Sequence, residues 1–118
     1  MSRFPMSISG IITAAGTGGE YAVPVPMACR IVAVYITDTD GIAADNTDYV
    51  DSDITGTTGY DSRAANQGAL TADTPLALTL SPGAVVLAAG SQLKVTVAKG
   101  GSGKATEAGV TWLLEPAN

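Results

Sequence analysis

The sequence predicts an all-β protein, an antiparallel β-sandwich or jelly roll of about eight short strands. Glycine is frequent, with 14 in 118 residues, and clusters of Gly, Pro and Asp separate the apolar stretches. Several of these stretches alternate apolar with small or polar residues, as strands with one buried face do. Helix-favouring Glu, Lys, Arg and Gln are scarce. An immunoglobulin-like sandwich is the near alternative, although the chain lacks the Cys…Trp…Cys spacing of true immunoglobulin domains.

The first half of the chain contains four predicted strands: Ser7 to Ala14, Glu20 to Val25, Cys29 to Thr37 and Tyr49 to Ile54. Pro24 and Pro26 lack backbone N–H groups, so they mark the second strand as an edge strand or mark its end. The third strand is β-branched and apolar, which predicts a central position. In the fourth, Val50, Ser52 and Ile54 share one face, so we expect a half-solvated strand.

The second half opens with a stretch, Gly56 to Gly68, that has no apolar period and is predicted to be a long surface loop with one helical turn near Ser62. Further strands are predicted around four apolar runs: Leu76 to Leu80, Val85 to Leu87, Leu93 to Val97 and Val110 to Leu114. The length fits one domain. We expect an N-terminal arm over residues 1–10 and a single β-sandwich domain over residues 11–118.

The composition argues against catalysis, because the chain has no His and a single cysteine, Cys29. Cys29 precedes an apolar run, so we expect a buried, inert thiol. We therefore expect no catalytic residues, no cofactor and no metal site. The net charge is −5 and the six basic residues are dispersed, which disfavours nucleic-acid binding. No apolar stretch approaches the roughly 20 residues of a membrane helix, and the N-terminus lacks a signal-peptide pattern, so synthesis in a cytoplasm is expected.

A glycine-rich segment, Gly100 to Lys104, has the appearance of a phosphate-binding loop. A Walker A loop needs Gly where this chain has Ala98, and Ser or Thr where it has Ala105. It also needs a following helix, whereas a strand is predicted here. We expect a mobile hairpin loop instead.

Acidic residues and tyrosines are concentrated in the middle of the chain. The acidic residues are Asp38, Asp40, Asp45, Asp48, Asp51 and Asp53. Their spacing does not match an EF-hand, and Asp is common in ordinary turns, so a calcium site at Asp38, Asp40 and Asp45 is a minor alternative. Nearby Tyr35, Tyr49 and Tyr60 leave open a small carbohydrate-binding face.

Two stretches resemble the small head decoration (cement) proteins of tailed bacteriophages: VPVPMACRIVAVYITDTDG and LAAGSQLKVTVAKGGSGKATEAGV. The resemblance implies a structural virion protein on the outer surface of the phage head that bridges coat subunits. Its partner would be the major capsid protein, and it would be made in the host cytoplasm. The alternative is a head-fibre or tail-fibre domain, or a carbohydrate-binding module, for attachment to the host.

The resemblance also implies contact residues. A terminal arm often contacts the capsid in such proteins, and the candidates here are Phe4, Met6 and Ile8. The resemblance further implies a homotrimer, and the apolar content of 46% favours contacts between subunits. Trp112 is the candidate for the subunit interface, since aromatic side chains often anchor interfaces. A position in the core of the monomer is its alternative.

Overall fold

A computed structural model describes residues 8–16, 20–101 and 106–116, and within them nine β-strands. A single 3-10 turn, Pro82–Ala84, is the helical element of this part of the chain. The strands are β1 (Ile8–Gly16), β2 (Glu20–Pro24), β3 (Cys29–Thr37), β4 (Val50–Ile54), β5 (Tyr60–Asp61), β6 (Leu76–Ala77), β7 (Val86–Leu87), β8 (Gln92–Lys99) and β9 (Thr106–Pro116).

The strands form two antiparallel sheets, and β1 to β4 alternate between them. The first sheet has the order β1-β9-β3-β6, with β7 also paired to β3, and the second has the order β2-β8-β4-β5. Short β6 and β7 pair with opposite ends of β3, so together they act as one interrupted edge strand. In the first sheet β9 lies between β1 and β3, and in the second β8 lies between β2 and β4. This is the strand order of a jelly roll. The predicted fold class is confirmed.

The core lies between the inner faces of the two sheets. Each long strand contributes alternate residues, because side chains in a strand point to opposite faces in turn. In β9, Val110, Trp112 and Leu114 are at most 2% exposed, and in β4 Val50 and Ile54 are buried in the same way. The largest other fully buried side chains are Tyr60, Ile31, Ile36, Leu93, Val25, Val34, Val95 and Cys29.

A β-bulge interrupts β3 where it pairs with β9. The pairing register shifts between Ile31 and Ala33, so Val32 is an extra residue on the β3 side. Upstream, Ile31 faces the core, and downstream Val34 faces it instead of Ala33. The bulge thereby turns Tyr35 to the outer face of the sheet.

Several strand predictions are confirmed. Strand β2, which contains Pro24, is the edge strand of the second sheet. Strand β3 is central, and β4 buries Val50, Ser52 and Ile54 as its alternation predicts. The predicted arm over residues 1–10 overlaps β1, which begins at Ile8.

The prediction of a surface loop from Gly56 to Gly68 is wrong in its middle. Tyr60 is 1% exposed and Ser62 is fully buried. Strand β5, which contains Tyr60 and Asp61, pairs with β4. The phenol of Tyr60 donates a hydrogen bond of 2.7 Å to the carbonyl of Gly68. A single buried tyrosine therefore anchors a segment that is otherwise polar.

Candidate functional site

Of the three predicted capsid-contact residues, Ile8 lies at the start of the first strand of the first sheet. Phe4 and Met6 lie outside the described residues. Ile8 begins β1, and its backbone pairs with Leu114 near the end of β9.

Trp112 lies in the core of the monomer, which is the alternative that the sequence left open. Its side chain is 0% exposed, so it has no surface to bury against a second copy. Its indole N–H donates a 3.0 Å hydrogen bond to the carbonyl of Thr55 in the opposite sheet. The Thr55 N–H in turn donates to the carbonyl of Lys94 at 3.0 Å. Trp112 thus connects the two sheets rather than two subunits.

Two acidic residues of the middle segment, Asp38 and Asp45, cap their own turns. The carboxylate of Asp38 accepts a hydrogen bond from the N–H of Asp40 at 2.8 Å. The carboxylate of Asp45 accepts from the N–H groups of Asp48 and Thr47, both at 2.8 Å, and these two hydrogen bonds lower its pKa. Within residues 8–16, 20–101 and 106–116, no three His, Cys, Asp or Glu side chains are grouped so that they could hold a metal ion. Ordinary turn chemistry accounts for Asp38 and Asp45.

The three tyrosines of the proposed carbohydrate-binding face do not lie together. Tyr35 is on the outer face of the first sheet and 36% exposed, whereas Tyr60 is buried in the core beside the second sheet. Burial raises the pKa of Tyr60 to about 12. The ring of Tyr49 is covered by the guanidinium of Arg63, 4.2 Å from the ring centroid. These positions give no common platform for a sugar.

Arg63 organises a charged cluster at the edge of the second sheet. Its guanidinium forms a bidentate ion pair with Asp61, with Nε 3.0 Å from both carboxylate oxygens. A second carboxylate, that of Asp51, lies 3.7 Å from Nη2. The hydrogen bond from Arg63 lowers the pKa of Asp61, whereas partial burial and the charges of Asp61 and Asp53 raise the pKa of Asp51. Sequence reasoning missed this cluster, since it joins residues of two strands and a turn.

The glycine-rich segment links the two sheets and is not a hairpin, because β8 and β9 belong to different sheets. Gly100 donates a 2.9 Å hydrogen bond to the carbonyl of Tyr49, and the Tyr49 ring packs closely against Gly100. Residues 102–105 of the segment lie outside the described residues. The strand predicted to follow is β9, so the helix that a phosphate loop requires is replaced by a strand.

Cys29 lies where an inert thiol was expected. Its side chain is 0% exposed, and burial raises its pKa. A thiol is nucleophilic as the thiolate, so a raised pKa lowers its reactivity.

The outer faces of the two sheets differ in chemistry. On the second sheet, the outward residues include Glu20, Asp51 and Asp53. On the first sheet, the exposed residues include large apolar side chains: Val32 is 50% exposed and Val86 is 68% exposed. Tyr35 is on the same outer face of this sheet. The apolar outer face of the first sheet is therefore the most evident interaction surface of the described chain.

Comparisons with known proteins add little to this geometry. No protein-family model matches the chain, and no curated protein matches it. A chain in a structure of the infectious bursal disease virus Gx strain is 13% identical, with a TM-score of 0.33 over 98% of this chain. The alignment spans 33% of that viral chain. A TM-score this low does not establish a shared fold. In the described part of the chain, no helix is long and apolar enough to cross a membrane.

Proposed function

We propose that this chain is a structural, non-enzymatic virion protein that decorates the outer surface of a tailed-phage head and stabilises it by bridging coat subunits. The observation that carries this proposal is the jelly-roll strand order, β1-β9-β3-β6 against β2-β8-β4-β5. Jelly rolls occur in viral capsid and lectin domains, among others. The resemblance of two long stretches to head decoration proteins favours the virion use of the fold.

The distribution of charged and apolar side chains supports a binding role. The described titratable groups with lowered pKa values, Asp45 and Asp61, are held by turn N–H groups and by an ion pair. Neither arrangement pairs a nucleophile with a base, as covalent catalysis requires. The exposed apolar surface on the first sheet is a feature of proteins that bind other proteins.

On a phage head, the partner is the major capsid protein and the oligomer is a homotrimer. A lattice offers many copies of one site, so modest individual contacts sum by avidity. In this proposal the N-terminal arm, with Phe4 and Met6, contacts the coat. The surface charge of the chain, net −5, disfavours adhesion to packaged DNA.

The test is cosedimentation of the purified protein with heads of its own phage assembled without it. We expect saturable binding to expanded heads and a higher temperature of DNA release from decorated heads. The double variant Phe4→Ser, Met6→Ser should lose binding while its thermal unfolding stays unchanged. As a matched control, Ala22→Ser alters an exposed residue on the opposite sheet and should bind normally. Failure of the wild-type protein to bind expanded or unexpanded heads would contradict the proposal.

A further inference from the structure

The outer face of the first sheet is apolar across several strands. Val32 and Tyr35 of β3 are exposed on it, together with Val86 of β7. Val86 lies directly opposite Arg30, and Ala77 lies opposite Tyr35, so these residues share the outer face. Leu113 of β9, between buried Trp112 and Leu114, is only partly covered. The surface is continuous because the strands are hydrogen-bonded neighbours.

The described side chains of this face carry no net charge, whereas the chain as a whole has a net charge of −5. Among the described side chains of its strands, the charged ones on this face are Arg30 and Glu115, and they form an ion pair with each other. The outer face of the second sheet is different. Its described carboxylates, on Glu20, Asp51, Asp53 and Asp61, outnumber its cations, on Lys94 and Arg63.

The charge distribution decides which face two copies can share. Bringing two acidic faces together costs Coulomb energy and desolvation of the carboxylates. Two neutral apolar faces carry no such cost and gain from the removal of apolar surface from water. A basic partner protein would instead be attracted to the second sheet. The neutral face therefore fits a second copy of this chain better than a partner of opposite charge.

The face also has a suitable size. A strand of nine residues is about 30 Å long, and four neighbouring strands cover about 19 Å, taking one strand spacing for each. Such a face measures roughly 570 Å², so two copies would bury about 1,100 Å², which is near the lower limit for a specific interface. A depression of about 290 Å³ between Tyr35, Pro75 and Gly109 gives the face a cavity for an apolar side chain.

From this neutral charge, apolar composition and area, we infer that the outer face of the β1-β9-β3-β6 sheet is the contact surface between copies of this chain. Trp112 has no part in the contact, and Val32, Val86 and Leu113 form its apolar centre. Contact between copies on this face does not require a phage head, so it can be tested on the isolated protein.

The first experiment compares two matched substitutions by sedimentation velocity over a range of concentrations. Val86→Glu places a carboxylate opposite Arg30 on the first sheet, and Ala22→Glu places one opposite Lys94 on the second. Each lowers the net charge by one and gains a cross-strand basic neighbour, so neither is expected to unfold the chain. We expect the mass of the wild type to rise above 11.8 kDa with concentration. Ala22→Glu should behave similarly, and Val86→Glu should weaken association by roughly tenfold or more.

The second experiment needs no substitution. Methyl NMR signals of Val32, Val86 and Leu113 should shift or broaden as concentration rises, while those of Ala22 and Ala98 stay unchanged. A mass of two or three chains supports the inference, provided that Val86→Glu lowers this mass. A mass that stays at 11.8 kDa at every concentration would overturn it. So would equal effects of the two glutamates, or signal changes confined to Ala22 and Ala98. If the contact between copies is refuted in one of these ways, binding of the monomer to phage heads would still support the proposed function.

Discussion

The turn between β4 and β5 offers a sharp test of the packing, through the substitution Gly59→Ala. Gly59 has φ +87°, in the left-handed region that disfavours residues with a Cβ. A Cβ at this position would lie 2.6 Å from the carbonyl oxygen of Ser52. That oxygen belongs to the backbone of β4, which is fixed by pairing with β5 and β8. The clash therefore cannot be relieved by rotating a side chain.

Gly90 is the matched control, because its φ is +85° and a Cβ there would meet nothing within 4 Å. Gly90→Ala should cost only the backbone penalty, about 1 kcal/mol of unfolding free energy. Gly59→Ala should cost the same penalty plus about 1 to 3 kcal/mol of overpacking, about 2 to 4 kcal/mol in all. The extra cost arises because the backbone must move and the next residue, Tyr60, is buried in the core.

Urea unfolding followed by the fluorescence of Trp112 measures both variants, since Trp112 is the single tryptophan of the chain and is buried. The slope of unfolding free energy against urea concentration should stay near the wild-type value, so that the shift in midpoint reports stability alone. If the two variants agree within about 0.5 kcal/mol, the close approach of Gly59 to β4 does not exist as described.

Three further predictions concern polar groups and the thiol. Ser62→Ala should lower the unfolding free energy by about 1 to 3 kcal/mol in the same urea assay, because the Ser62 hydroxyl accepts the buried N–H of Val50 at 2.9 Å; no loss would mean that this N–H has another partner. Arg63 lowers the pKa of Asp61, so the ion pair between them stabilises the fold at pH values above 3.8, the usual pKa of Asp. This stabilisation is lost as the pH falls below 3.8 and Asp61 becomes protonated. The stability difference between the wild type and Arg63→Met should therefore shrink between pH 7 and pH 3, and a constant difference would contradict the ion pair. Cys29 should react with a thiol reagent only in urea, and rapid labelling of the native protein would contradict its burial.

Local patterns in the sequence were sufficient to predict the position of every strand except β5, and the edge position of β2. In β4 the alternation of Val50, Ser52 and Ile54 predicts the buried face correctly, because a regular strand has a fixed period of two. In β3 a strict period of two would place Ile31 and Ala33 on one face. The bulge breaks that period, and no local pattern marks a bulge inside a continuous apolar run.

The segment from Gly56 to Gly68 could not be predicted in the same way, because long-range contacts decide its structure. Strand β5 is two residues long, too short to produce an alternating pattern. Tyr60 is buried in the core, β5 pairs with β4, and Arg63 lies 3.7 Å from the carboxylate of Asp51 in β4. The one local signal is an aromatic residue in a stretch of glycines, threonines and polar side chains.

For the interface between copies of the chain, residue type and position in the strand lead to different candidate residues. As an aromatic residue, Trp112 is a candidate interface anchor. Yet Val110, Trp112 and Leu114 share one face of β9, and that face is buried. Thr111 and Leu113 occupy the outer face, so the run VTWLL is apolar toward both sides apart from one threonine. The run CRIVAVYIT in β3 is apolar toward both sides apart from Arg30 and Thr37, whereas β4 alternates apolar with acidic residues. Antiparallel sheets that face water on one side alternate, and continuous apolar runs are typical of strands covered on both faces. The central strands of the first sheet thus have the composition of strands with a covered outer face, and this pattern supports the contact between copies independently of its charge.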